Sequence, residues 1–261
     1  MNDLYSLHPH FIDSDPRKSR TKPYPVTAHF MQARHENIFK NIDFHSKRIL
    51  DLGCCVGYTG AWALVSGAAH YRGIEFSKEL SEIACQNLST SFDKSTWQIT
   101  NSSVEDFLDS NHDKFDIVIA MGVAYSFKEP VSFIEKILTI GSTVIVESSH
   151  HKDTDVQLNT MKDTAFVSYA WQGMNYNSTT SDAIFYSARP SESLVKTIFK
   201  FNGFSVSEEE NNLVSACLPE HYGLYYNKRF VVVGSRVQDN TKPMGYVNSI
   251  RNKKFEIRDW K

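Results

Sequence analysis

A short turn between a predicted strand and a predicted helix carries the residues best suited to chemistry. It runs from Asp51 to Gly57 with the sequence Asp-Leu-Gly-Cys-Cys-Val-Gly. A strand that ends in such a glycine turn places backbone N–H groups at the carboxyl edge of a sheet, where doubly wound folds bind ligands. Glu75 ends the next predicted strand, 24 residues after Asp51, where a carboxylate can accept hydrogen bonds from both hydroxyls of a ribose. Together these features predict a site for a nucleoside-containing cofactor.

A simpler interpretation of the same residues is that the glycines only make a tight turn and Glu75 is a solvated surface acid. The strand context, the spacing and the terminal acid in combination favour the cofactor interpretation. A dinucleotide is disfavoured, because the G-x-G-x-x-G pattern needs glycine where this chain has Cys55 and Tyr58.

The segment from Asp51 to Gly57 resembles motif I of the class I S-adenosylmethionine-dependent methyltransferases, usually D-x-G-x-G-x-G, with Cys55 in place of the middle glycine. The resemblance implies that S-adenosyl-L-methionine is the cofactor and that Glu75 binds its ribose. The cofactor-binding residues that we predict are Asp51, Gly53, Cys54, Cys55, Gly57, Glu75, Phe76, Ser103, Val104, Glu105, Met121 and Gly122.

Within that set, Ser103-Val104-Glu105 matches the family's loop beside the adenine, although the frequent Asp of that loop is here Ser103. Ser103 with Asp106 also has the pattern of a helix capping box. The two interpretations of Ser103 stay open.

A narrower resemblance lies in the segment from Phe115 to Tyr125, which is similar to the fourth-strand segment of the bacterial tRNA wobble-uridine carboxymethyltransferases. This resemblance implies that Arg17 and Lys18 belong to a basic arm that contacts the carboxylate of a carboxylated cofactor. We nevertheless predict transfer of an ordinary methyl group, with the basic arm helping to close the pocket or to contact an anionic substrate. The cations from Arg17 to Lys22 are typical of a solvated arm, and Glu147 brings a negative charge to the predicted pocket edge.

The candidate catalytic residues are Tyr125, just after the predicted fourth strand, and His150 and His151, just after the fifth. Methyl transfer from a sulfonium is an in-line displacement that depends mainly on positioning, so a general base is optional. The two histidines and Glu147 are candidates to accept a proton from a hydroxyl or amine, and Tyr125 to line the transfer site. Structural roles are equally open, because an aromatic ring can pack on the cofactor and paired histidines need no special function.

These residues are positioned by a regular alternation of strands and helices. Strands are predicted over 48–52, 71–76, 96–100, 115–123 and 143–146, with segments of helical periodicity between them. Such alternation indicates a parallel sheet covered on both faces, an α/β fold. The resemblance extends this to a doubly wound, mostly parallel, seven-stranded sheet of the Rossmann-like methyltransferase type.

The domain boundaries follow from where this alternation begins and ends. An N-terminal arm or cap at 1–45, irregular up to a helix near 29–41, precedes a methyltransferase domain at 46–236 and a C-terminal tail at 237–261. Two long stretches of the domain, 151–190 and 208–228, do not fit the alternation and are predicted to be substrate-covering insertions.

The composition argues against several classes of protein. A net charge of −2 and a pI near 6.5 lack the strong positive charge of a typical nucleic-acid-binding domain, although a local basic patch stays open. The four cysteines show no metal-ligand spacing and no disulfide framework, so we expect no metal and a reducing, cytoplasmic location. No apolar run is long enough to cross a membrane.

Three functions are therefore open. The first is a methyltransferase for a small-molecule or sugar-like acceptor. The second is an enzyme that methylates or carboxymethylates tRNA or another RNA, which the basic residues near both ends of the chain favour. The third is a catalytically inactive, cofactor-binding partner subunit, supported by Cys55 and by Ser126, which replaces the histidine that often follows the tyrosine corresponding to Tyr125 in the carboxymethyltransferases. The sequence leaves the oligomeric state undefined.

Overall fold

The computed structural model describes residues 3–18, 26–149, 165, 167–172, 185–207 and 229–237. The strands are β1 (Arg48–Leu52), β2 (His70–Glu75), β3 (Trp97–Asn101), β4 (Phe115–Met121), β5 (Gly141–Ser149), β6 (Val167–Gln172), β7 (Phe185–Pro190), β8 (Phe204–Val206) and β9 (Arg229–Arg236). The α-helices are α1 (Leu4–Leu7), α2 (His10–Asp13), α3 (Ala28–Phe39), α4 (Tyr58–Val65), α5 (Lys78–Ser91), α6 (Val104–Ser110), α7 (Pro130–Ile140) and α8 (Glu192–Phe201). Two short 3-10 helices span Lys94–Thr96 and Ala124–Ser126.

Seven of these strands form one sheet in the order β3-β2-β1-β4-β5-β9-β8. Strands β1 to β5 are parallel, and β9 is antiparallel to both of its neighbours. The chain builds the sheet outward from β1 to β3 and then resumes at β4 on the other side of β1. Doubly wound sheets bind ligands at the carboxyl ends of the strands beside such a switch point. The predicted doubly wound, mostly parallel, seven-stranded sheet is confirmed.

Two hydrophobic clusters cover the opposite faces of this sheet. Successive side chains of a strand point to opposite faces, so Ile49 of β1 lies in one cluster while Leu50 and Leu52 lie in the other. The first cluster includes residues of α1 to α5, and the second includes residues of α6, α7 and α8. Because both faces are covered, β1 is a nearly continuous apolar run in the sequence.

The N-terminal residues 3–18 belong to this core, although an irregular arm was expected. They form α1 and α2, and Leu4, Tyr5 and Phe11 are at most 2% exposed. Each of these helices has only four residues, too few to produce a helical period in the sequence. The helix predicted near 29–41 is α3, and the hydroxyl of its N-cap residue Thr27 accepts the N–H of Phe30 at 3.2 Å.

The predicted insertion at 151–190 contains an antiparallel hairpin of β6 and β7. Strand β7 lies against the 3-10 helix Ala124–Ser126, which follows β4. The predicted insertion at 208–228 and the tail beyond residue 237 lie outside the described residues. Of the helices that the structure describes, none combines the length and the apolar composition needed to cross a membrane.

Candidate active site

The turn after β1 is held tightly against the neighbouring strands. The N–H groups of Gly53 and Cys54 both donate to the carbonyl oxygen of Ile74 in β2, at 2.9 and 3.0 Å. Gly53 has a φ of +79°, and a Cβ atom there would lie 2.4 Å from Cγ1 of Val123, beyond the end of β4. Gly57, with a φ of +92°, is the N-cap residue immediately before α4. The turn therefore requires glycine at these two positions, both for backbone conformation and, at Gly53, for space.

Glu75 is fixed by the same turn. Its Oε2 atom accepts the N–H of Cys55 and its Oε1 atom accepts the N–H of Ser77, both at 2.9 Å. The residue is 9% exposed. A carboxylate has about four lone-pair sites, so each oxygen can accept one further hydrogen bond. A pair of vicinal hydroxyls, such as those of a ribose, fits this remaining capacity.

Cys55 adopts a φ of +52°, a left-handed backbone conformation that residues other than glycine rarely take. It therefore preserves the backbone of the glycine it replaces and directs its N–H to Glu75. Burial raises the pKa of its thiol to about 12, although Arg17 lowers it in part. The neighbouring Cys54 is a separate free thiol. At neutral pH, Cys55 is thus an uncharged packing residue.

Asp51 lies inside the protein, with 2% of its surface exposed. Its Oδ2 atom accepts the hydroxyl of Tyr71 at 2.8 Å. Burial raises the pKa of this carboxyl to about 7, against the lowering effects of Tyr71, Thr59 and Arg34. Asp51 therefore changes charge near neutral pH.

The loop after β2 presents an aromatic ring. The Phe76 side chain is 64% exposed. The side-chain N–H₂ group of Asn101 donates to the carbonyl oxygens of Glu75 and Phe76, at 2.9 Å each, and so fixes the loop. An exposed ring beside Glu75 suits stacking of a purine base, as the sequence predicted for a cofactor site here.

The predicted adenine loop begins α6. The hydroxyl of Ser103 accepts the N–H of Asp106 at 3.0 Å, so the capping interaction is present. Val104 is buried and Glu105 is exposed. The contact of this loop with a cofactor stays a prediction.

A second group of polar residues lies at the end of β4. Gly122 has a φ of +75°, and a Cβ atom there would lie 3.1 Å from Nη2 of Arg229, 3.6 Å from the hydroxyl oxygen of Tyr125 and 3.9 Å from Oε2 of Glu147. Met121, just before it, is half-buried. Tyr125 lies in the 3-10 helix, and the guanidinium of Arg189 in β7 lies 5.9 Å from the centre of its ring. Predicted residues Gly122 and Tyr125 are thus brought together at the sheet edge.

Glu147 is not an available proton acceptor, in contrast to the role suggested for it from the sequence. It is fully buried, and Arg229 donates to both of its oxygens, at 3.0 and 2.9 Å. Arg34 of α3 donates to Oε2 at 2.7 Å. Burial would raise the pKa of Glu147, but the two guanidinium groups outweigh it and lower the pKa to about 2. His150 and His151, the other predicted proton acceptors, lie outside the described residues.

The N-terminal arm also reaches the site, through contacts that were not predicted from the sequence. Asp15 is fully buried and binds Nε and Nη2 of Arg17, at 3.0 and 2.7 Å, and the hydroxyl of Tyr58, at 3.0 Å. The hydroxyl of Tyr5 donates to the carbonyl oxygen of Tyr58 at 3.0 Å. The only sequence signal for this docking was an acid, Asp15, directly before a basic cluster.

Comparison with known proteins agrees with this geometry. A family model described as a methyltransferase domain matches residues 43–203, more than half of the chain. A search of the curated proteins gives no match.

Among solved structures, the chain is similar to magnesium protoporphyrin IX methyltransferase from Synechocystis PCC 6803 with bound SAH, at 13% identity and a TM-score of 0.55, covering 89% of this chain and 99% of that one. It is also similar to the N-terminal domain of EvdMO1 in the presence of SAH and D-fucose, at 15% identity and a TM-score of 0.56, covering 91% and 98%. A putative S-adenosylmethionine-dependent methyltransferase from Listeria monocytogenes matches at 16% identity and a TM-score of 0.54, covering 79% and 99%. At these identities the likeness shows the fold, while the family model shows the family. The chain therefore belongs to the methyltransferase domain family and is an S-adenosylmethionine-dependent methyltransferase.

Proposed function

We propose that this enzyme methylates a small-molecule acceptor. The observation that carries the proposal is the position of the hairpin: β7 lies against the 3-10 helix that holds Tyr125, and Arg189 of β7 lies over the Tyr125 ring. The hairpin thus narrows the approach to the carboxyl ends of β4 and β5, which suits a small acceptor better than a folded RNA.

The described part of the basic N-terminal cluster gives the RNA alternative little support. Arg17 forms a bidentate ion pair with Asp15, and Lys18 lies 3.8 Å from Asp13. Cations that are paired with carboxylates of the same segment contribute less to binding of a phosphate backbone. Arg20, Lys22 and the cations of the C-terminal tail lie outside the described residues, so an RNA acceptor remains the second hypothesis to be tested.

The inactive-subunit alternative rested partly on Cys55, and the geometry of the turn weakens that support. The backbone at Cys55 takes the conformation of a glycine, and its N–H binds Glu75. The substitution therefore leaves the backbone of the turn in the conformation that glycine would give it.

The chemistry needs little besides positioning. S-adenosylmethionine supplies a methyl group that is already activated by its sulfonium charge. In our proposal the backbone at Gly53 allows close approach, Glu75 holds the ribose, and Tyr125 lines the transfer site. With a pKa of about 2, Glu147 stays ionised at neutral pH and does not take up the proton that the methylated substrate loses.

We propose methyl transfer in preference to carboxymethyl transfer. One earlier reason for this choice, a negative pocket edge at Glu147, no longer applies, because Arg34 and Arg229 neutralise that carboxylate. The remaining reason is that Arg17 is already paired with Asp15. Mass spectrometry of the product decides between the two groups, which differ by the mass of carbon dioxide.

The acceptor class can be tested with cofactor labelled in its methyl group. The full-length protein is incubated with separate pools of small metabolites and of RNA, and we expect label in the metabolite pool. Gly53→Val is the matched negative control. A side chain at this position would clash with Val123 and would be strained by the positive φ of the backbone. Label found only in the RNA pool would contradict the proposal, and label in neither pool would favour an inactive subunit.

Replacing Glu75 by alanine should weaken binding of both S-adenosylmethionine and its demethylated product by about 1 to 3 kcal/mol, through loss of charge-assisted hydrogen bonds to the ribose. Isothermal titration calorimetry measures the effect. Glu79→Ala, at an exposed position of the following helix, is the control and should bind as the wild type does. Unchanged affinity in the Glu75 variant would show that another group binds the ribose.

Replacing Cys55 by glycine should leave turnover at a measurable level, because the backbone conformation suits glycine and the thiol is uncharged at neutral pH. Cys55→Val should instead destabilise the fold by about 1 to 3 kcal/mol, since a β-branched side chain is strained at positive φ. Methyl-transfer assays and urea unfolding compare the two variants. Loss of turnover in Cys55→Gly with intact cofactor binding would reveal a chemical role for the thiol.

A further inference from the structure

We propose that the acceptor is a carboxylate, which the enzyme converts into a methyl ester, and that Arg189 binds this carboxylate beside Tyr125. The inference rests on the proposed function and deepens it, because it names the chemical class of the small-molecule acceptor. It concerns the edge of the site at the ends of β4 and β5.

Two guanidinium groups lie over the ring of Tyr125. That of Arg189 in β7 is 5.9 Å from the ring centre, and that of Arg229 in β9 is 5.8 Å from it. Both distances are within the range of cation–π contacts. Tyr125 and Arg189 are half-buried, so a ligand that enters beside the hairpin can touch both. Three segments that are distant in sequence thus bring two cations and a phenol hydroxyl to one place.

The sheet edge fixes the position of this group. Arg229 begins β9 and pairs with Ser149, the last residue of β5. A Cβ atom on Gly122, just after β4, would lie 3.1 Å from Nη2 of Arg229 and 3.6 Å from the hydroxyl oxygen of Tyr125. Because glycine has no side chain, the guanidinium and the hydroxyl can both approach the end of β4. This is the edge at which a doubly wound sheet binds its ligands.

The charges of these side chains favour an anionic ligand. Arg229 donates to both oxygens of Glu147, and Arg34 donates to one of them. This carboxylate is therefore engaged by two guanidinium groups, and Arg189 brings a third positive charge to the same edge. A guanidinium matches a planar carboxylate through two parallel N–H bonds. A carboxylate is consequently an acceptor group that suits this edge.

A carboxylate can be methylated without a general base. One of its oxygens attacks the methyl carbon and forms a C–O bond, while the C–S bond breaks and its electron pair returns to sulfur. The products are a neutral methyl ester and S-adenosylhomocysteine, and no proton moves. A hydroxyl acceptor has to lose a proton, which Glu147 does not take, because Arg229 and Arg34 lower its pKa to about 2. The paired state of Glu147 therefore favours a carboxylate over a hydroxyl.

The ion pair of Glu147 also suits the change in charge during the reaction. The acceptor carboxylate loses its negative charge as the ester forms, so a strong ion pair to the reacting oxygen would stabilise the substrate more than the transition state. Glu147 balances part of the charge of Arg229, whose side chain is 8% exposed. We expect the more accessible Arg189 to hold the oxygen that does not react. The other oxygen is then left to attack the methyl carbon.

The test uses cofactor labelled in its methyl group and a pool of small metabolites, one portion of which is first treated so that its carboxyl groups become amides. Mild alkali hydrolyses a methyl ester and releases the label as volatile methanol, whereas methyl groups on amines, ether oxygens or carbon stay bound. We expect volatile label from the untreated portion and none from the amidated portion.

Two kinds of failure are distinguishable. Label that resists alkali, or that appears equally in both portions, would overturn the inference while the small-molecule function stands. Label found only in an RNA pool would overturn the proposed function itself, and the inference with it.

The role of Arg189 is tested by binding, with the acid that is identified from the mass of its ester. No methyl group is transferred in the presence of S-adenosylhomocysteine, so calorimetry then measures the affinity for the acid alone. Arg189→Ala should weaken this binding about ten-fold or more, through loss of a charge-assisted pair, and leave the affinity for S-adenosylhomocysteine unchanged. Arg189→Lys should restore part of the lost affinity, because the charge remains while the planar fork is lost.

Arg48→Ala is the matched control. Arg48 also lies over an aromatic ring, 5.5 Å from the centre of Phe115, but these two residues begin β1 and β4 and so lie at the opposite end of the strands. This variant should bind both ligands as the wild type does. Unchanged affinity for the acid in Arg189→Ala would overturn the assignment of Arg189, and weaker binding of both ligands would show that Arg189 only supports the fold.

Discussion

Replacing Glu147 by alanine should lower the free energy of unfolding by about 3 to 5 kcal/mol, because it leaves two buried guanidinium groups without their shared carboxylate. The side chains of Arg34 and Arg229 are only 16% and 8% exposed, so water cannot replace the lost partner easily. Urea unfolding at neutral pH measures the change.

The control for this variant is Glu82→Ala. Glu82 pairs with Lys78 one turn away on α5, but both side chains are mostly exposed and the atoms are 3.8 Å apart. Such a surface pair contributes at most about 1 kcal/mol. If the Glu147 and Glu82 variants lost similar stability, the cluster of Glu147 with its two arginines would not be a structural centre.

The same cluster has a defined pH dependence. The folded pKa of Glu147 is about 2 and its ordinary value is 4.5. A carboxyl with a lowered folded pKa stabilises the fold above its unfolded pKa, and that contribution is lost as the pH falls toward the folded pKa. We expect the wild type to lose about 3 kcal/mol from this group between pH 4.5 and pH 2. Glu147→Gln should lack this part of the acid transition.

What the sequence predicted well is the placement of residues that are close together along the chain. Gly53, Gly57 and Glu75 lie at the ends of two consecutive strands, so their spacing is set by a single strand-helix-strand unit. The sequence pattern gives the lengths of the two strands, the glycine turn and the position of Glu75. These are enough to place the three residues at one edge of the sheet. The parallel arrangement of the central strands followed from the same pattern, and the doubly wound, seven-stranded sheet followed from the family resemblance.

The parts that the sequence did not predict depend on contacts between distant segments. Arg34 and Arg229 are 113 and 82 residues from Glu147, and no local period or motif relates them. Because these two arginines were not predicted to pair with Glu147, the carboxylate on its own suggested a negative pocket edge. A charge in a sequence indicates the sign of a surface only when its partners are known.

The N-terminal helices show a different limit. Four-residue helices cannot be recognised by periodicity, and the histidines and prolines of the arm suggested irregular structure. Their burial comes from tertiary contacts of Leu4, Tyr5 and Phe11 with the first hydrophobic cluster. Local propensity is weak evidence where so few residues take part.

Replacing Asp51 by asparagine should remove a loss of stability that the wild type undergoes between about pH 4 and pH 7. Burial raises the folded pKa of this carboxyl to about 7, while its ordinary value is 3.8. In that pH window the folded chain holds a proton that the unfolded chain releases, so stability falls as the pH rises. The difference of about three pKa units corresponds to about 4 kcal/mol.

Asparagine resembles the protonated acid in shape, and its side-chain oxygen can still accept the hydroxyl of Tyr71. Unfolding curves at several pH values should therefore show that the free energy of unfolding of Asp51→Asn increases relative to that of the wild type as the pH rises. The two free energies should be equal near pH 4. Asp109→Asn, at a side chain that is 64% exposed, serves as the control and should follow the wild type. Parallel curves for wild type and Asp51→Asn would show that Asp51 does not titrate in this range.

A second variant tests the cause of the effect. Tyr71→Phe removes the hydroxyl that stabilises the ionised form of Asp51, at a donor-to-acceptor distance of 2.8 Å. A hydrogen bond to a charged group contributes about 1.5 to 3 kcal/mol. As the pH rises above 7, the free energy of unfolding of this variant should therefore fall further than that of the wild type. In the background of Asp51→Asn the same Tyr71→Phe change should have a smaller effect and no dependence on pH. If the pH dependence survived in that double variant, it would originate in another group, and Asp51 would be an ordinary ionised carboxylate beneath the cofactor turn.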